Sequence, residues 1–145
     1  DLSKVIENVI TYLDHRLPSI GKNIQINNNV EKSLEINGNS ILISWALENM
    51  IKNAIDAIDH DQGMIDLKSS SNSGNILISI IDNGKGIPRK DHKNIFRPGF
   101  SSKSQGWGMG LSLVKRIIEE LHSGKIEIID SAEGRGTSIQ ISLPL

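Results

Sequence analysis

The sequence predicts a single α/β domain. Three stretches of helical period, 2–16, 40–59 and 110–122, alternate with short apolar runs of strand character. A chain of 145 residues, 37% hydrophobic and 23% charged, has room for one core and an ordinary globular composition. Aromatic residues are only 3%, so Ile and Leu must fill that core.

The first helix is read from Leu2, Val5, Ile6, Val9, Ile10 and Leu13, and Pro18 and Gly21 end it. His15 and Arg16, near its end, are expected in solvent. Ile24–Asn27 alternates like a strand, and Leu34-Glu35-Ile36 is expected as another short one. Gly38-Asn39 turns the chain into the second helix. There Leu47, Met50, Ile51, Ala54, Ile55 and Ile58 form an apolar stripe. Trp45, Asn49, Lys52, Asn53 and Asp56 share the opposite one, at about 100° per residue. Residues 64–69 and 75–82 read as strands joined by the polar loop Ser69–Gly74. The second strand is almost wholly apolar, as a central strand should be. After the third helix, with its stripe of Leu111, Val114, Ile118 and Leu121 and its closing Gly124, come strands 125–129 and 137–143. The turn Glu133-Gly134-Arg135-Gly136 joins them. Lys115, Arg116, Glu119 and Glu120 are expected to face water.

Composition narrows the function. Lys and Arg number 16 against 17 Asp and Glu, a net charge of −1, so no overall field draws the chain to nucleic acid or membrane. Attraction for phosphate must be local. The absence of cysteine rules out a disulfide framework and thiolate metal sites, and fits a reducing, cytoplasmic setting. No apolar run approaches the roughly 20 residues that span a bilayer, and no signal peptide is visible. The first residue is Asp1 rather than Met, as expected for a piece of a longer protein.

Four segments carry chemistry. Gly106-Trp107-Gly108-Met109-Gly110-Leu111 alternates three glycines ahead of an amphipathic helix. Glycine lets backbone N–H groups come close to a ligand, and a helix N-terminus offers unpaired donors to phosphate. Alone, such a run serves equally well as a turn. Asn49 and Asn53 lie one turn apart on the polar stripe, although asparagine is a poor helix former. Its neutral carbonyl oxygen can ligate a hard cation such as Mg²⁺. Solvent exposure alone remains the other explanation. Asp82-Asn83-Gly84-Lys85-Gly86-Ile87 ends a buried strand in a carboxylate. An ionised Asp only accepts hydrogen bonds, which suits an exocyclic amino group such as adenine's; a turn-capping Asp is the alternative. Residues 88–105 carry Arg89, Lys90, Lys93, Arg97 and Lys103, a long basic loop suited to a lid, with Phe96 and Phe100 to anchor it.

Rival nucleotide sites fail on spacing. Asp130 lies 20 residues past Gly110, where a ribose-binding acid would stand, but the third glycine of a dinucleotide fingerprint falls on Leu111 and no buried strand precedes Gly106. No Gly-Lys-Ser/Thr makes a P-loop. His15, His60, His92 and His122 are scattered, with no partner at metal or triad spacing.

The order of segments is specific where each is weak. Glu48-Asn49-Met50-Ile51-Lys52-Asn53-Ala54, Asp82-x-Gly84-x-Gly86, Ile95-Phe96-Arg97-Pro98-Gly99-Phe100-Ser101-Ser102-Lys103, Gly106-x-Gly108-x-Gly110-Leu111 and Gly134-x-Gly136-Thr137 follow one another. Together they resemble the asparagine, phenylalanine and three glycine boxes of the sensor histidine kinase catalytic domain, of the GHKL superfamily, over about two thirds of the chain. The resemblance implies the Bergerat fold, a two-layer α/β sandwich. In it a mixed sheet of about five strands carries helices on one face, with an ATP lid. It implies Mg²⁺–ATP as ligand, with Asn53 on the metal and Asn49, Lys52 and Asp56 lining the nucleotide. Asp82 would take the adenine amino group, with Gly84, Gly86 and Ile87 close to the base. Lys103, Gly108, Met109, Gly110 and Leu111 would meet the phosphates, and Thr137 would support the adenine end through water.

Related ATPases of the gyrase, Hsp90 and mismatch-repair types carry a Glu as general base four residues before the metal asparagine. Here Asn49 stands there, and Glu48 lies about 100° round the helix. That favours phosphoryl transfer to a histidine over hydrolysis of ATP. Arg97 departs from the acid common in the family. No residue of the chain fits the phospho-acceptor: Pro18 follows His15, and Gly63 stops the helix after His60. The resemblance therefore implies one ATP-binding domain over 1–145, with the dimerisation and acceptor helix expected before Asp1. Partners would be that domain and a response regulator receiver, not nucleic acid. The isolated piece is expected to be monomeric and to turn over little. A stand-alone ATPase switch, or an interaction module that kept the fold without nucleotide, are the alternatives.

Overall fold

In the computed structural model, residues 1–17, 23–31, 35–36, 38–60, 62–72, 74–87, 89–92, 94–96, 110–132 and 134–144 are described. Helix α1 (Leu2–Arg16) starts at Asp1, whose carboxylate accepts the Ser3 N–H at 3.0 Å. It buries Leu2, Ile6, Val9 and Leu13, with Val5 and Ile10 at the margin of the core. Strand β1 (Ile24–Asn29) follows. Helix α2 (Ser40–Ala57) is capped by Asn39, whose side-chain oxygen accepts the Ile41 and Leu42 N–H groups at 3.0 and 3.1 Å. Its expected apolar stripe is buried throughout, from Leu47 to Ile58.

Strands β2 (Gly63–Asn72), β3 (Asn75–Asp82), β4 (Lys125–Ala132) and β5 (Gly136–Pro144) complete a sheet of order β1-β2-β3-β5-β4. The β1–β2 pair is parallel and the other pairs antiparallel, so the expected mixed five-stranded sheet is present. One face of the sheet carries the core: Ile65, Leu67, Ile76, Ile78, Ile80, Ile126, Ile141 and Leu143 are buried on it together with the apolar stripes of the helices. The other face carries Asp66, Lys68, Ser79, Gln140 and Glu127, none of them buried. Strand β3 keeps its expected bounds, whereas β2 runs further than expected, pairing Ser70 with Leu77 and Asn72 with Asn75. Ladder hydrogen bonds extend the hairpin through a serine run that has little strand preference of its own.

Two expectations need correction. Glu35 and Ile36 form no strand, and Leu34 lies outside the described residues. Ile36 instead packs against the core as a single side chain, which needs no ladder partner. The third helix is α-helical only over α3 (Gly110–Lys115) and continues as a π-helix over Arg116–Leu121. The wider turn rotates the stripe. Ile117 and Ile118 are buried, whereas Leu121, placed in the core by helical spacing, is 62% exposed. Glu119 is half-buried rather than solvated, and accepts the Ile126 N–H at 3.2 Å. Segment 88–105 is not wholly irregular: 3₁₀ turns span Arg89–Asp91 and Asn94–Phe96.

His122 closes this end of the molecule. Its Nδ1–H donates to the Ile117 carbonyl at 2.8 Å, and its Nε2 accepts the Asn39 N–H at 3.0 Å. The ring thereby ties the end of the π-helix to the cap of α2.

Candidate functional site

The alternation of β3 sends Ile76, Ile78 and Ile80 into the core, and the next inward position is Asp82. A carboxylate thus stands where the period calls for a hydrophobe, 9% exposed. The row across the sheet at this level runs Ile65, Asp82, Thr137, Ser131. The Gly84 N–H donates to Asp82 Oδ1 at 2.9 Å, and the Thr137 backbone N–H donates to the same carboxylate. Burial pushes the Asp82 pKa above its ordinary value, and the two N–H groups offset part of that rise.

The loop after Asp82 is pinned on both sides. The Lys85 N–H donates to the Ala57 carbonyl at 2.8 Å, capping the end of α2. A Cβ on Gly84 would lie 2.6 Å from the same Ala57 oxygen, so only glycine allows the loop to lie this close to the helix. Lys85 O accepts the Gly134 N–H at 2.7 Å, docking the β4–β5 turn on the loop. At Gly136, φ is +102°, and a Cβ there would overlap the Asp82 carbonyl oxygen. Gly86 has φ of +77°.

These contacts bring the Asp82 loop to the C-terminal half of α2, where Asn49 and Asn53 are half-buried and Lys52 and Asp56 exposed. The Asn49 amide nitrogen donates to the Trp45 carbonyl at 2.8 Å, which turns its side-chain oxygen away from that carbonyl. Glu48 pairs with Lys52 at 3.2 Å. Helix α3, beginning at Gly110 and Leu111, packs beside α2. Ile87 leaves the loop half-buried, and Thr137 is 6% exposed beside Asp82. Hydrogen bonds thus join Asp82 to Gly84 and Thr137, and the Asp82 loop meets α2 at Ala57, next to Asp56, with Asn53, Lys52 and Asn49 on the preceding turns of that helix. Lys103, Gly108 and Met109, like Arg97, Phe100 and Trp107, lie outside the described residues. Phe96 packs against the core, with the Lys115 ammonium 5.7 Å from its ring centre.

Several supporting residues carry no sequence signal of their own. Asn83 accepts the Met64 N–H at 2.8 Å and donates to Gln62 O at 2.9 Å, while His60 Nε2–H donates to Asn83 O at 2.9 Å. His92 bonds the Ile87 carbonyl at 2.9 Å. The scattered histidines His60, His92 and His122 thus serve backbone groups. Ser131 Oγ accepts the Ile87 N–H and meets Thr137 Oγ1, each at 2.9 Å.

A buried carboxylate, a close-packed loop and an asparagine-bearing helix meet here, and relatives of known type share the chain that builds them. Residues 38–145 match the family described as histidine kinase-, DNA gyrase B-, and HSP90-like ATPase. The nitrogen regulation protein NtrY of Azorhizobium caulinodans is 38% identical over 108 residues, 70% of this chain and 14% of its own length. Sporulation kinase C of Bacillus subtilis is 33% identical over 146 residues, 99% of this chain and 33% of its own length. This chain thus spans a third or less of those two relatives. The catalytic domain of the histidine kinase ThkA, solved nucleotide-free, superposes with a TM-score of 0.86 at 28% identity, covering 99% of this chain and 92% of that one. The chain belongs to the histidine kinase-, DNA gyrase B- and HSP90-like ATPase family, as an ATP-binding domain of the sensor histidine kinase type.

Proposed function

We propose that this chain holds Mg²⁺–ATP and presents the γ-phosphate to a histidine on a separate dimerisation domain of the same protein. The observation that carries the reading is Asp82, a buried carboxylate at a core-facing position whose free acceptor capacity suits the adenine amino group. Ile87 and the backbone at Gly84 and Gly86 would flank the base, and Thr137 would support it through water. Asn49, Lys52 and Asp56 would line the ribose and phosphate side along α2. Gly108, Met109, Gly110 and Leu111, with Lys103, would meet the phosphates.

Asn53 fits a cation held mostly by phosphates. Its donor is a neutral carbonyl oxygen on the same helix as Asn49. Among the described residues no three His, Asp or Glu side chains converge, so the nucleotide and water would supply the other ligands. When bound, Mg²⁺ neutralises charge on the phosphates. The chain's own part is binding and orientation, with backbone N–H groups aimed at the phosphates. Asn49, where hydrolytic relatives carry a base, cannot take a proton from water. Transfer to a histidine is thus favoured over hydrolysis, and a piece without the acceptor should turn over little.

The phosphoryl group would pass on to a response regulator receiver; ThkA has been solved in complex with the response regulator TrrA. Among the described residues no helix is long and apolar enough to cross a membrane. A cytoplasmic position, in a parent with or without an anchor, accords with this.

Calorimetric titration with ADP, with and without Mg²⁺, tests the site. Asp82→Asn should weaken ADP by tenfold or more, in line with about 1.5–3 kcal/mol for a hydrogen bond to a charged group. Asn53→Ala should remove the Mg²⁺ dependence. Radiolabel from γ-labelled ATP should reach a histidine only when an acceptor domain is added. Steady hydrolysis by the chain alone would instead indicate an ATPase switch.

A further inference from the structure

Strand β4 contains an irregularity that changes which residue faces the site. Ile126 and Ile128 pair with Ile141 and Ile139 on the core side of the sheet. Regular alternation would next turn Asp130 inward and Ser131 outward. Between Ile128 and Asp130 the register slips, leaving Ile129 without a partner on β5. Ile129 is 53% exposed, and Asp130 is exposed opposite Ser138. Ser131 is thereby turned inward, opposite Thr137, into the row that holds Asp82. Bulges re-aim side chains in this way beside sites. This one spends an exposed isoleucine to place a hydroxyl.

The hydroxyl has three polar neighbours. Its Oγ accepts the Ile87 N–H at 2.9 Å. Its own hydrogen can go to Thr137 Oγ1 at 2.9 Å or to Gly136 O at 3.3 Å. The shorter contact is the better bond. A threonine hydroxyl that accepts from Ser131 has its own hydrogen left for a ligand or for the water that bridges to it. The adenine edge presents an amino donor next to a ring-nitrogen acceptor, N1. Asp82 can only accept, so it takes the amino group, and the ring nitrogen then requires a donor. A guanine edge has the opposite order.

We infer that Ser131, brought inward by the bulge at Ile129, is a positioning and specificity residue that fixes the Thr137 hydroxyl as a donor toward the adenine N1 and holds the Ile87 N–H beside the base. The inference rests on the adenine reading of Asp82, and the test separates the two.

The chain is titrated calorimetrically with ADP, inosine diphosphate and 1-deaza-ADP, which has C–H in place of N1. Parent protein should prefer ADP over inosine diphosphate, whose ring lacks the amino group; equal binding would sink the Asp82 reading itself. Parent protein should also bind 1-deaza-ADP roughly five- to tenfold more weakly than ADP, as expected for the loss of one hydrogen bond. Ser131→Ala should weaken ADP by a similar factor and bind the two ligands alike, whereas Ser131→Thr, which keeps the hydroxyl, should restore the difference. If Ser131→Ala weakens both ligands equally, the residue is merely structural and the inference is wrong. If the parent chain does not distinguish ADP from 1-deaza-ADP, it is wrong whatever the variants do, including a variant that fails to fold.

Discussion

Asp82 is subject to two opposed demands. It accepts most strongly from an amino group when ionised, yet it sits where burial favours the protonated acid. The folded chain therefore holds its proton more tightly than the unfolded chain does. Stability from this group is highest below the unfolded-state pKa. It falls as pH rises through the folded-state value and is level above that. Adenine binding should run the other way across the same interval, because the ionised form is the stronger acceptor. Thermal unfolding of parent and Asp82→Asn from about pH 4 to 7 should show the parent losing ground to the variant as pH rises. An unchanging difference would mean the carboxylate is not raised. Gly136 makes a second residue-scale prediction. With φ of +102° and the Asp82 carbonyl in the way of a Cβ, Gly136→Ala should cost more than about 1 kcal/mol in urea unfolding. It should also disturb ADP binding, since the displaced group is Asp82 itself.

At the scale of elements, the π-helix after α3 separates spacing from packing. Helical period assigns Leu121 to the core, but the wider turn leaves it 62% exposed and buries Ile117. Leu121→Asp should therefore change stability by no more than about 0.5 kcal/mol, while Ile117→Asp should unfold the domain. A large loss from Leu121→Asp would show that the stripe continues as a regular helix. The cap at the start of α2 gives a complementary case. Asn39→Ala removes the acceptor of two N–H groups and should cost about 1 kcal/mol, measured by chemical denaturation. Nucleotide affinity should hardly move, because Asn49 and Asn53 lie on the later turns.

For the whole molecule, one core serves both layers, so ligand binding at the α2–β3 corner should stabilise the entire domain. At ADP concentrations 100 times its Kd the expected gain is about 2.7 kcal/mol, read as an upward shift of a single unfolding transition. A gain confined to one of two transitions would mean that the corner unfolds apart from the sheet.

Helical periods were sufficient to place α1 and α2, and alternating or apolar runs to place strands β1 to β5, because those patterns reflect which side of each element is buried. Order and spacing of the asparagine and glycine segments likewise pointed to a nucleotide, since each residue type is tied to a local backbone or ligand demand. Neither reached the features set by pairing between distant segments. Ser131 faces the site because β4 slips one residue against β5, and sequence alternation turns it outward. Leu121 is exposed because a π-turn rotates the stripe, and Ile36 enters the core without a strand. Asp82 is legible as a strand-ending acid. Its burial, and the Thr137 N–H that partly offsets it, depend on the register of β3 with β5, which many residues settle together and none records locally.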